Sequence, residues 1–133
     1  MNKEQFELLK QDICSRLSHG VKIRITIPFF EESDYPTEVL SAIDTKTDRI
    51  NNTSILIEDV KPYLRPMSSM TEEEYECFVD ILSRSMVRRK CYDWHEQWIQ
   101  TPSTEEWINT HHFDYRGLIP MGLALEAPED MYN

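Results

Sequence analysis

The chain has 133 residues, 40% hydrophobic and 29% charged, with 24 acids against 14 bases and a formal net charge of −10. That length suits one domain (1–133) with a single modest core, and three Trp, six Tyr and five Phe exclude a wholly disordered chain, because such rings need burial. The acidic balance repels phosphate backbones, so direct nucleic-acid binding is disfavoured, and no run reaches the ~18 apolar residues a helical membrane span needs.

The opening Met1-Asn-Lys-Glu-Gln-Phe-Glu-Leu-Leu-Lys10 has charges where a signal peptide needs an apolar core. Cys14, Cys77 and Cys91 are odd in number and lack CxxC spacing. Both features predict reduced thiols and a water-soluble, cytoplasmic protein.

In chain order, Phe6, Leu9, Ile13 and Leu17 make one apolar stripe and predict a helix over about 3–18. Asn2 is placed to cap its start, and Gly20 to end it in the left-handed conformation. Val21, Ile23, Ile25 and Ile27 then alternate with Lys22, Arg24 and Thr26, which predicts a half-buried strand closed by Pro28. Glu31–Pro36 reads as a loop. Strands are predicted at about 38–46 and 53–59, from the β-branched residues Val39, Ile43, Thr45, Thr53, Ile55 and Ile57. Between them lies a turn over 48–52, whose Asn51-Asn52 pair tolerates positive φ. The three strands predict an antiparallel meander with helices on one face.

Lys61–Met70 contains Pro62 and Pro66, so it is predicted to be a crossover and neither a helix nor a central strand. Thr71 with Glu74 fits a capping box and opens a helix with the stripe Tyr75, Phe78, Val79, Leu82 and Met86. Residues 91–100 extend that helix or form a separate piece, and Thr101-Pro102 breaks it. Ser103 with Glu106 predicts a further helix over about 104–111. The tail after Tyr115 turns at Gly117 and Gly122, and Leu118, Ile119, Leu123 and Leu125 predict that it packs on the core.

The fold class is therefore α+β: an N-terminal helix, a three-stranded antiparallel sheet, then two or three helices packed on it. The β-containing half (1–66) holds nine bases and eleven acids, and the mainly helical half (67–133) five bases and thirteen acids. The acidity belongs to the second half.

Candidate chemistry lies in that half too. Cys91 and His95 are four apart and share a face if helical, and His111, His112 and Asp114 add donors for a metal or for acid–base work. Against this, adjacent His residues on a helix diverge by about 100°, and no HExxH is present. No metal or cofactor is assigned. Carboxylate runs such as Glu72–Glu74 sit in first helical turns, where the dipole accounts for them. There is no GxSxG, and three glycines cannot build a phosphate loop. The basic cluster Arg84, Arg88, Arg89 and Lys90 either compensates a helix end or grips an anionic partner. Trp94, Trp98 and Trp107 either fill the core or mark a protein-binding surface, to which Arg88 and Arg89 would contribute.

Two segments, Asp59-Val-Lys-Pro-Tyr-Leu-Arg-Pro-Met-Ser-Ser-Met-Thr-Glu-Glu-Glu74 and His111-His-Phe-Asp-Tyr-Arg-Gly-Leu-Ile-Pro-Met-Gly-Leu-Ala-Leu-Glu-Ala-Pro-Glu-Asp-Met-Tyr132, carry a resemblance. With the opening helix they are similar to a group of uncharacterised small proteins of gut Bacteroidales bacteria and their phages, prophages and mobile elements. The resemblance spans about half the chain, implies that setting, and carries over no site residue. Taken together, the expected function is a non-catalytic accessory or protein-interaction protein. The alternatives are a small metal-dependent or acid–base enzyme using His95, His111, His112 and Asp114, and an acidic DNA mimic that inhibits a DNA-binding protein.

Overall fold

The computed structural model describes residues 1–85 and 102–132. Helix α1 (Lys3–Ser15) opens on a capping box: the Gln5 amide donates to Asn2 Oδ1 at 2.8 Å, and the Asn2 amide donates to Gln5 Oε1 at 3.1 Å. Leu9 and Ile13 are fully buried, with Phe6 and Leu17 packed beside them. The helix stops three residues short of the sequence expectation. A single 3₁₀ turn, Leu17–His19, follows it and closes on Gly20 at φ 72°.

The sheet differs from the meander that the sequence predicts. It has five strands, in the order β2 (Thr37–Val39), β1 (Lys22–Ile25), β5 (Val60–Pro66) and β6 (Phe113–Asp114), with β7 (Leu125–Glu126) also paired to β5. β1 is antiparallel to β2 and β5, whereas β6 and β7 run parallel to β5. The first of the two further expected strands is split: Glu38 and Val39 lie in β2, antiparallel to β1 as expected, while β3 (Ile43–Asp44) pairs with β4 (Arg49–Ile50) in a small separate hairpin; in place of the second stands a 3₁₀ turn at Ile57–Asp59. Asp44 Oδ1 accepts the Lys46 amide at 2.9 Å, and Asp48 takes φ 56°, which moves the reversal to 45–48. Asn51 and Asn52 do adopt positive φ.

The central strand is the proline-bearing segment that the sequence reading assigns to a crossover. The Thr26 amide donates to Asp59 O and the Arg65 amide to His112 O, so odd-numbered residues of β5 turn their polar backbone groups toward β1 and β6. The Ala127 amide donates to Leu64 O on the opposite flank. Alternation then points the nitrogens of Pro62 and Pro66 toward the β7 flank, where β7 matches β5 only at Tyr63 and Leu64. Neither proline removes a bond that the ladder needs.

Two apolar clusters result. The larger joins Leu9 and Ile13 of α1, Val21, Ile23 and Ile25, the hairpin residue Ile50, Val60 and Leu64 of β5, and Leu118, Leu123 and Ala124 from the tail. The smaller joins Phe78 and Leu82 of α2 (Glu72–Ser85) to Trp107 and Ile108 of α3 (Pro102–Thr110), and to Phe113. Both α2 capping-box bonds of Thr71 and Glu74 form, at 3.1 and 3.0 Å. α3 starts earlier than expected because a proline is tolerated in a first helical turn. The tail packs on the core as expected, with Gly117 and Gly122 at φ 74° and 75°. Among the described residues no helix is long and apolar enough to cross a membrane.

Candidate functional site

The end of α3 brings four of the singled-out residues together and then separates their functions. His111 lies one turn after Trp107, stacks on it with ring centroids 4.1 Å apart, and has Nδ1 2.8 Å from Trp107 O. Trp107 in turn stacks on Phe113 at 5.8 Å and meets Phe78 at 5.4 Å, so its ring is spent on the smaller core. His112 sits at φ 62°, and this turn sends it the other way, onto the Tyr132 ring at 3.7 Å. Burial, followed by the positive Arg16, pushes its imidazole down to about 4. Asp114 is buried and accepts the Leu118 amide at 2.8 Å and the Ile119 amide at 2.9 Å, one on each oxygen. No group of three or more His, Cys, Asp or Glu able to hold a metal ion forms among the described residues. Cys91, His95, Trp94, Trp98, Arg88 and Arg89 lie outside them.

A buried ionic cluster escapes the sequence reading. Asp12 accepts Arg16 Nε at 2.9 Å and Arg16 Nη2 at 3.1 Å, and Arg116 Nη1 at 2.7 Å. Arg16, with no exposed surface, also donates to Phe113 O at 2.6 Å. Both guanidinium groups lie over the Tyr115 ring, at 5.4 and 4.3 Å. The cluster ties α1 to the tail. A signal was available, since Asp12 and Arg16 each follow a stripe residue by three positions and therefore flank the apolar face of α1.

Tyr132 forms a second tie. Its hydroxyl accepts the Lys22 amide at 2.9 Å and donates to Tyr63 O at 2.7 Å. The register Ile23↔Pro62 places Lys22 opposite Tyr63 next, so the phenol stands where a ladder bond would form. Burial pushes its hydroxyl up to about 12. Beside it a polar cleft of about 410 Å³ runs between Arg65, Ser69, Glu126 and Glu129. Arg65 is already held there by both Glu74 oxygens at 2.7 Å, and this grip draws the Glu74 carboxyl down to about 2.

Among the described residues, the most exposed large hydrophobic is Phe29, in the loop between β1 and β2. Phe29 is fully exposed and Phe30 is 58% exposed. The loop is nevertheless built. Its base is closed by the Ile25 amide on Pro36 O, and the Asp34 and Tyr35 amides bond back to Glu31 O and Glu32 O. Arg24 pairs with Glu32 at 2.8 Å and lies over Tyr35 at 5.7 Å. The sequence signal was the Phe-Phe pair that stands between Pro28 and the polar loop Glu31–Pro36.

No family model matches the chain, and comparison with curated proteins and with solved structures gave no match.

Proposed function

We propose that the chain is a non-catalytic, cytoplasmic accessory protein that acts by binding another protein, in the phage or mobile-element setting that its resemblance implies. The observation that carries the reading is the Phe29-Phe30 pair, held in water by a closed loop. Two adjacent phenyl rings left in solvent forgo burial that a partner surface would supply. Phe29 also sits at φ 72°, a conformation that bulky residues rarely adopt and that places its ring away from the core. Further support comes from His111, His112 and Asp114, each of which has a structural employment as ring stack or turn acceptor.

Affinity purification of the tagged protein from the cells that make it tests the reading. A discrete protein recovered in near-equal amount is the expected result. Recovery of no partner at any expression level overturns it.

A further inference from the structure

Resting on that reading, we infer that the β1–β2 loop docks Phe29 and Phe30 into an apolar pocket on the partner whose rim carries Lys and Arg. From Thr26 to Glu38 the chain has four carboxylates (Glu31, Glu32, Asp34 and Glu38) and no lysine or arginine. Glu31, Glu32, Asp34 and Glu38 are all exposed, so the segment that carries the phenyl pair presents a negative surface. One of the four, Glu32, is paired with Arg24 at 2.8 Å, so with that cation counted the segment still carries three negative charges. A surface of this sign selects a basic rim, which steers encounter and rejects wrong partners, while the rings supply the desolvated centre.

The same charge argues against two other occupants. A second copy would bring an identical acidic segment on a chain of net charge −10, and an anionic lipid surface would be repelled. Strand addition at the free edge of β2 is also disfavoured. That strand is three residues long, and its Val39 carbonyl is taken by Asn51 Nδ2 at 3.0 Å.

The test is photo-crosslinking in the producing cell, with p-benzoylphenylalanine placed at Phe29 and, as a control face, at the exposed Tyr75 of α2. The expected result is one protein crosslinked from position 29, at a peptide bordering a Lys/Arg cluster. Glu31→Lys with Asp34→Lys should lower that yield at least about tenfold, and Glu31→Gln with Asp34→Asn less, all with unchanged thermal unfolding. A yield from 29 that ignores charge reversal overturns the basic rim and leaves the interaction reading standing. Crosslinks to a second copy of this chain, or to lipid, overturn the occupant. A partner caught only from position 75 overturns the surface, whereas silence at both positions overturns the interaction reading as well.

Discussion

Asp12 has no exposed surface and faces two guanidinium groups, so its removal would leave Arg16 buried without its carboxylate. Breaking one partner of such a cluster costs about 3–5 kcal/mol. Asp12→Ala is therefore expected to lower urea stability by that amount, and a loss under about 1 kcal/mol would show the cluster to be incidental. Tyr132→Phe keeps the ring but strips the hydroxyl joining Lys22 N to Tyr63 O. The expected loss is about 1–3 kcal/mol, with faster hydrogen exchange at the Lys22 amide. The titrating groups give two acid windows. An unfolded histidine protonates below its ordinary 6.5, but buried His112 stays neutral down to about 4, so stability is insensitive to it above pH 6.5 and falls between 6.5 and 4. Glu74, held near 2 by Arg65 instead of its ordinary 4.5, contributes fully above 4.5 and loses that contribution as pH falls toward 2. Denaturant titrations at stepped pH should show His112→Asn flattening the upper window and Glu74→Gln the lower one.

At the scale of elements, β5 makes the sharpest contrast. Its ladder groups toward β1 belong to odd residues, so Lys61→Pro should cost about 3 kcal/mol or more, while Pro62→Ala should cost under about 1 kcal/mol. Equal costs in thermal or urea unfolding would contradict the flank assignment. The same strand shows what was legible. α1, β1, the Asn2 cap and the capping box at Thr71 could be read because their signals are local: a stripe at helical spacing, an alternation, and side chains three residues apart. β5 was misread because a proline penalty depends on which flank its nitrogen faces, and that is set by partners 35 and more residues away. β6 and β7 left no signal at all. Two-residue strands carry no periodicity, and their parallel pairing to β5 is decided by where the tail packs. Of the candidate site, the His111-His112-Asp114 group was legible as donors, but the positive φ at His112 that drives the rings apart was not.

For the whole molecule, the main core and the sheet draw on both ends of the chain, since α1, β1 and β5 meet Leu118, Leu123 and Ala124. Asp12–Arg116, Arg16–Phe113 and Lys22–Tyr132 are among the polar ties across that closure. Against this closed interior, the β1–β2 loop leaves two adjacent phenyl side chains outside, an area that the proposed partner would cover. The direct measurement is thermal unfolding and partner co-purification side by side for the chain and for Phe29→Ser with Phe30→Ser. Because Phe29 is fully exposed and Phe30 more than half exposed, stability is expected to stay within about 1 kcal/mol of the original while the co-purifying protein is lost. Undiminished recovery of that protein, or a loss of several kcal/mol in stability, would contradict it.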